Sequence, residues 1–122
     1  MEATLPKAQR LTGKKTVGEV MLCGERAGSG CLRCRWMPSG GDVNRILVSV
    51  PKRHFKRAVK RNLLKRRIRE SYRRQKGLLP SGFDLAFVYT PREVLSYVEI
   101  YEDMTRLLTR LGPQMESEDP RA

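Results

Sequence analysis

The chain has 122 residues, a length that suits about one domain, and its 25 Lys and Arg against 13 Asp and Glu give a formal net charge of +12. A surface this basic favours a polyanion, and phosphate backbones are the usual partner because each neutralised phosphate releases condensed counterions. No stretch approaches the ~18 apolar residues of a membrane span and no apolar signal-peptide core follows Met1, so we expect a cytoplasmic protein with no membrane partner.

The N-terminal part is predicted to contain an arm and a short helix. Residues 1–15 are polar and punctuated by Pro and Gly, which predicts a flexible arm. Thr16 and Glu19 have the spacing of a capping box, so a helix is expected to begin there and to end at Gly24. One side of that helix would carry Val17, Val20 and Met21.

The middle of the chain predicts two strands followed by a long helix. The strands cover residues 31–36 and 45–50, and the turn-forming segment 38–42 between them favours a hairpin. The helix is expected from about Phe55 to Lys76, with Gly77 as its stop, because good helix formers dominate there. Apolar residues recur every four positions within it and predict a buried stripe of Leu64, Ile68 and Tyr72.

The C-terminal part predicts a buried strand, a helix and a tail. The apolar run at residues 83–89 indicates a buried strand, so strand, helix and strand in succession predict a βαβ unit. Residues 96–99 form a capping box that opens an amphipathic helix. Residues 112–122 are acidic and without apolar periodicity, which predicts a disordered tail after a single domain at 16–111. The fold class is therefore α+β, a small mixed sheet with a long basic helix in the βαβ unit and further helices at the N- and C-terminal ends.

The cysteines argue against both disulfides and zinc. Cys23, Cys31 and Cys34 are an odd number, which does not suit a secreted disulfide framework. Cys31 and Cys34 form a C-x-x-C, but a zinc site would need a second ligand pair, and only Cys23 and His54 remain, at no recognised spacing. We therefore expect buried or half-buried free thiols and no metal held directly by the protein.

The long helix concentrates positive charge. Residues 52–76 hold thirteen Lys or Arg and a single acid, Glu70. Arg61, Lys65, Arg69 and Arg73 form one basic stripe at four-residue spacing. Like charges four residues apart on one helix destabilise it unless they share an anion, and a helix that merely faces solvent usually mixes in acidic partners. The helix is therefore predicted to bind RNA phosphates. The candidate residues are Lys52, Arg53, Lys56, Arg57, Arg61, Asn62, Lys65, Arg66, Arg69 and Arg73.

The order of residues within 55–73 resembles the signature helix of the bacterial ribonuclease P protein family. The matching core consists of Ala58, Arg61, Asn62, Lys65, Arg66, Arg69 and Glu70. Residues 49–53 resemble the family's basic lead into that helix and residues 10–11 resemble its N-terminal start, so the likeness spans 10–111. The family commonly reads Arg-Asn-Arg where this chain has Leu63 in third place, so any role of that arginine is missing or shared with Lys60 and Arg67.

The resemblance implies the protein subunit of a ribonucleoprotein endoribonuclease that removes the 5′ leader from precursor tRNA. The catalytic RNA and its bound magnesium would carry the chemistry, and no protein partner is implied. The long helix would cross between parallel strands with a left-handed topology, although about 98% of such crossovers are right-handed. A cleft between helix and sheet would hold the leader. The candidate residues there are Val17, Met21 and Trp36, although a single Trp in a small domain is more often core.

The sequence also leaves other functions open. It offers neither a carboxylate cluster for two metals nor a His pair, so we expect no catalytic residue and no cleavage by the protein alone. His54 would contact a phosphate or have no role, and Asn62 would bond RNA or cap its own backbone. The alternatives are a ribosomal or general RNA-binding protein without a role in cleavage, a DNA-binding protein, which the phosphate-type stripe disfavours, and a free-standing nuclease.

Overall fold

Four strands form one sheet in the computed structural model, which describes residues 5–118. In chain order they are β1 (Glu25–Ser29), β2 (Leu32–Pro38), β3 (Arg45–Ser49) and β4 (Phe83–Tyr89). Their spatial order is β1-β2-β4-β3, with β3 and β4 parallel and the other neighbours antiparallel. The predicted α+β class is confirmed, and the predicted bounds of the last strand match those of β4.

Three α-helices accompany the sheet: α1 (Lys14–Cys23), α2 (Ala58–Gln75) and α3 (Tyr97–Glu118). Helix α2 connects the parallel pair β3 and β4, so the predicted βαβ unit is present. Its left-handed crossover stays a prediction. A 3-10 turn, Lys76–Leu78, follows α2, so Gly77 lies inside that turn rather than directly after the helix.

The predicted hairpin between residues 31–36 and 45–50 is wrong, because β4 lies between β2 and β3. Strand β4 is buried along nearly its whole length, and a strand that is apolar on both faces belongs at the centre of a sheet. Strand β1 was not predicted, since it contains no β-branched residue. It pairs with β2 through a two-residue turn at Gly30 and Cys31, and Gly30 has a φ of 55° that favours glycine.

Alternate residues of the strands face two separate cores. On one face β2 and β4 pack against α2 and α3, and the predicted stripe of Leu64, Ile68 and Tyr72 is confirmed as buried. On the other face α1 covers a smaller cluster. That cluster consists of Leu11, Val20 and Ala86, with Val17, Met37 and Leu47 packed against it. Whether a strand residue lies at an odd or an even position therefore decides which helices its side chain packs against.

The predicted flexible arm is wrong for residues 5–13, because two leucines there reach the two cores. Leu5 and Leu11 are both buried, and the N–H of Leu11 donates to the carbonyl of Ile46, 2.8 Å away. Helix α1 begins at Lys14 with Gly13 as its N-cap, so the predicted capping box at Thr16 does not form. Residues 1–4 of the predicted arm lie outside the described residues.

The capping box that opens α3 is confirmed. The Ser96 N–H donates to the Glu99 carboxylate at 2.9 Å, and the Glu99 N–H donates to the Ser96 hydroxyl at 3.2 Å. The predicted disordered tail is wrong for residues 112–118, because α3 continues to Glu118 and Met115 extends its buried face. Residues 119–122 of that tail lie outside the described residues.

Gly112 allows α3 to continue past the 3-10 turn. A Cβ atom at Gly112 would lie 2.8 Å from the Leu78 carbonyl oxygen. We therefore expect Gly112→Ala to lower the free energy of unfolding by about 1 to 3 kcal/mol, because the backbone must shift. Gly77→Ala is the matched control, since no atom of residues 5–118 beyond its chain neighbours lies within 4 Å of its Cβ position, and its effect should stay within about 0.5 kcal/mol. Urea denaturation measures both, and equal stabilities would contradict the close approach.

Candidate RNA-binding surfaces

Helix α2 presents its cations in directions set by its buried stripe. Leu64 and Ile68 have no exposed surface, and the ring of Tyr72 packs 5.8 Å from that of Phe87. Because an α-helix turns about 100° per residue, the basic residues fan out on both sides of this stripe rather than forming one row. The basic residues on one side of this stripe have different neighbouring groups from those on the other side.

One side of α2 forms a cleft with the N-terminal segment. This Arg10 cleft, defined by Arg10, Asn62, Arg66 and Arg69, has a volume of about 490 Å³ and runs beside the edge strand β3. Within residues 5–118 no acidic side chain lines it. Burial, and then the like charge of the nearby Arg10, lower the pKa of Arg69. Asn62 caps no backbone group among the described residues and lines this cleft.

The loop before α2 carries four exposed cations: Lys52, Arg53, Lys56 and Arg57. Phe55 anchors the loop, because it is buried with its ring 6.0 Å from that of Tyr89. The Arg61 guanidinium donates to the carbonyls of Phe55 at 2.7 Å and Lys56 at 2.8 Å. Arg61 therefore orders this loop, and the cations of the loop are held at the start of α2. Lys65 is half-buried one helical turn after Arg61.

The only acid of α2, Glu70, partly neutralises the C-terminal end of the basic stripe. The Glu70 carboxylate accepts hydrogen bonds from Arg73 at 2.7 Å and from Arg74 at 2.8 Å. These two arginines, Arg73 first, lower the pKa of Glu70 to about 2. Arg73 therefore pairs with an acid, whereas Arg69 one turn earlier forms no ion pair with any acid of residues 5–118. The predicted row of Arg61, Lys65, Arg69 and Arg73 is not one uniform phosphate surface.

A second cationic surface lies over the sheet beside α1. With only ten residues, α1 leaves open a sheet cleft of about 680 Å³, defined by Met21, Arg26, Arg33, Arg35 and Val88. Arg26 lies directly opposite Arg35 in the β1–β2 register, and like charges in such a pair are destabilising. The Arg35 guanidinium donates to the Gly24 carbonyl at 3.1 Å, while Arg26 and Arg33 are exposed.

Sequence reasoning missed the three arginines of the sheet cleft because it followed helical charge alone. A signal was present in β2, where the buried residues Leu32, Cys34 and Trp36 alternate with Arg33 and Arg35. Alternation with a period of two places the arginines together on the face away from the main core. Strand periodicity, applied to charge as well as to apolar residues, would have found them.

Residues 5–112 match the family model described as Ribonuclease P. The chain belongs to the ribonuclease P protein family. It is similar to the ribonuclease P protein component of Petrotoga mobilis, with 37% identity over 115 residues that cover 88% of this chain and 95% of the relative. The solved RNase P protein from Thermotoga maritima superimposes with a TM-score of 0.74 and 26% identity, covering 83% of this chain and 96% of that one. The Staphylococcus aureus RNase P protein shares the fold, with a TM-score of 0.75 and 21% identity over 86% of this chain and 96% of that one.

The predicted resemblance and subunit function are therefore confirmed. The chain is of the bacterial ribonuclease P protein type, a subunit that assists 5′ maturation of tRNA, and its partner is an RNA subunit. The ribonuclease P ribonucleoprotein is an endoribonuclease that requires divalent metal ions. The family assignment does not favour a ribosomal or general RNA-binding protein.

The signature helix has Leu63 where the family commonly has an arginine. Lys60 and Arg67, which were predicted to share that arginine's role, have different surroundings in the structure. The Arg67 guanidinium donates to the carbonyl of Leu95 just before α3 begins, so it links α2 to the next helix. Lys60 is exposed, and it lines a smaller notch at the start of α2. Lys60 is therefore the one of the two that is available for a phosphate.

The three residues predicted for a leader cleft do not come together in this ribonuclease P protein. Trp36 is buried in the main core, with its ring 5.7 Å from that of Phe83, because its strand parity points it towards α2 and α3. Val17 packs in the cluster under α1 on the opposite face, and Met21 lines the sheet cleft there. The prediction of Trp36 as a stacking surface is wrong.

The cysteines are free thiols in different environments. Cys23 is exposed, whereas Cys31 and Cys34 are buried. Burial, followed by the nearby Asp103 carboxylate, raises the pKa of Cys31 to about 12, and burial alone raises the pKa of Cys34. Both thiols are therefore protonated in the free protein. Within residues 5–118, no helix is long and apolar enough to cross a membrane.

Proposed function

We propose that this ribonuclease P protein binds the catalytic RNA through the Arg10 cleft and the loop before α2, and the 5′ leader of precursor tRNA through the sheet cleft. The observation that carries the proposal is a pair of cationic clefts that no acidic side chain of residues 5–118 lines, one beside the edge strand β3 and the other over the opposite edge at β1 and β2. Two separate surfaces suit two separate RNA segments. The complex would act in the cytoplasm.

The sheet cleft suits a single-stranded RNA. Arg26 and Arg33 would contact phosphates, while Met21 and Val88 offer apolar surface for bases. No aromatic side chain lines this cleft among the described residues, so binding there would depend on charge more than on stacking. We therefore expect leader binding that tolerates different sequences and weakens steeply with salt.

Magnesium would be held mainly by the RNA subunit. Glu70, the acid on α2, already binds two arginines, and within residues 5–118 no group of three His, Cys, Asp or Glu side chains is placed to hold a metal ion. These residues do not fit a magnesium site, which takes carboxylates with open coordination positions. The protein would instead bring the two RNA segments together and neutralise their phosphates.

Cleavage of precursor tRNA at low magnesium tests the proposed function. The reactions contain the catalytic RNA alone, the protein alone, or both. We expect stimulation only when both are present, because the protein lowers repulsion between the two RNAs. RNA binding without stimulation would reduce the protein to a general RNA binder, and cleavage by the protein alone would make it a nuclease in its own right.

Arg26→Ala with Arg33→Ala tests the sheet cleft. We expect this variant to weaken binding of precursor tRNA with a long leader and to flatten its salt dependence by about two units of slope, one per lost phosphate contact. Binding of tRNA without a leader should stay the same. The control is Arg66→Ala with Arg69→Ala, in which precursor tRNA with a leader should still bind more tightly than tRNA without one. A loss that is equal for both substrates would place the leader elsewhere.

A further inference from the structure

A third concave surface lies at the start of α2, where the loop before the helix meets the segment after β4. This His54 notch, defined by His54, Lys56, Arg57, Lys60 and Arg92, has a volume of about 270 Å³. Phe55, Glu93 and Val94 complete its lining. Its residues come from two parts of the chain that are brought together by the packing of Phe55 against Tyr89. The notch is therefore formed by the fold and not by a local run of charge.

The notch gathers like charges without neutralising them. Four cations line it, and the one acid there, Glu93, forms no ion pair within 4.0 Å in the part of the chain that the structure describes. The Glu93 backbone carbonyl instead accepts the Tyr89 hydroxyl at 2.6 Å, which fixes the segment that carries Arg92. Converging cations repel one another unless an anion lies between them.

His54, which lines this notch, carries an unsatisfied polar atom. The imidazole is half-buried, and its Nδ1 is shielded from solvent with no hydrogen-bond partner among residues 5–118. Buried polar atoms of this kind are rare and cost free energy unless a partner is supplied. Partial burial, and then the charges of Arg53 and Arg92, lower the pKa of His54, so the free protein disfavours the imidazolium form. An anion beside the ring would accept a hydrogen bond from the imidazole and offset the charges of the two arginines.

We propose, on the basis of the proposed function, that the His54 notch binds a phosphodiester group of an RNA in the ribonuclease P complex, with His54 and Arg92 as contact residues. The notch lies across α2 from the Arg10 cleft, since Lys60 and Asn62 are separated by about 200° of helical rotation. RNA phosphates therefore flank the first half of α2 on both sides.

His54 reports on its own site, because it is the only histidine in the chain. Its ring protons are followed by NMR through a pH titration of the whole protein, with and without a single-stranded oligoribonucleotide. We expect RNA to raise the pKa of His54, because a bound phosphate stabilises the imidazolium, so RNA binding takes up a proton. An unchanged pKa at saturating oligoribonucleotide, and with the catalytic RNA in its place, would overturn the proposal.

Two variants show whether the effect is local. Arg92→Ala should raise the pKa of His54 in the free protein and remove the further rise on adding RNA. Arg66→Ala with Arg69→Ala removes charge from the other side of α2 and should keep that rise. If Arg92→Ala keeps the RNA-dependent rise, or the double variant abolishes it, the phosphate does not lie in the notch.

Salt dependence identifies which RNA supplies the phosphate. For Arg92→Ala the slope of log affinity against log salt should fall by about one unit with either the leader oligoribonucleotide or the catalytic RNA. The RNA whose slope falls is the one that supplies the phosphate. Unchanged slopes with both would overturn the proposal. Because these readouts need no cleavage, a negative result here leaves stimulation of precursor-tRNA cleavage, and with it the proposed function, as a separate outcome.

Discussion

Replacing Arg66 and Arg69 with alanine will weaken binding of the catalytic RNA and flatten its salt dependence by about two units of slope. Both side chains line the Arg10 cleft, where no acid offsets their charge within the described residues. Burial and Arg10 already lower the pKa of Arg69, so a bound phosphate would offset the repulsion between these two guanidinium groups. Filter binding from about 50 to 200 mM salt measures the slope, over the range in which such contacts matter most.

Arg73→Ala with Arg74→Ala is the matched control for this prediction. It also removes two positive charges from α2, but both of these guanidinium groups are paired with Glu70. We expect its slope to change by less than about one unit, because these charges are already partly neutralised. If both double variants lose the same slope, RNA responds to the total charge of α2, and the Arg10 cleft is not a distinct site.

Replacing Leu64 with alanine will lower the free energy of unfolding by about 2 to 5 kcal/mol. Leu64 has no exposed surface and lies in the main core between α2 and the sheet, so its removal leaves a cavity there. A domain of this size has about 5 to 15 kcal/mol of stability in total, so the loss is a large fraction of it. Guanidinium chloride denaturation measures the change at constant m-value.

Val59→Ala is the control on the same helix, because Val59 is 78% exposed. We expect its effect to stay within about 0.5 kcal/mol. At a temperature where both variants are folded, each should bind the catalytic RNA as the unmodified protein does, since neither change removes a charge. A similar loss of stability in both variants would mean that α2 does not bury the stripe that Leu64 begins.

The local elements that could be predicted are those whose signal is contained in a few neighbouring residues. The bounds of β4 follow from one apolar run, and the start of α3 follows from the Ser96 and Glu99 capping box. The buried stripe of α2 follows from a four-residue period. The end of α3 could not be found in this way, because residues 112–118 show no apolar periodicity, although Gly112 packs closely against Leu78 and Met115 is buried.

The candidate site was predictable only as a charge and not as a set of surfaces. Thirteen cations and one acid at residues 52–76 indicate phosphate binding, whatever the fold. The division of these cations into separate surfaces depends on residues that are distant in the chain. Arg10 lines one cleft together with Arg69, and Arg67 donates a hydrogen bond to the Leu95 carbonyl. No local pattern contains these contacts.

By itself the sequence determined that this protein binds RNA as a member of the ribonuclease P family, and where most of its helices and strands lie. Only the tertiary structure decided that β4 separates β2 from β3, that Trp36 faces the core, and that Arg26, Arg33 and Arg35 line an open cleft. The physical reason is that periodicity assigns residues to one face or the other of a strand. Which face is covered depends on the helices that pack there, and that packing is a long-range property of the whole chain.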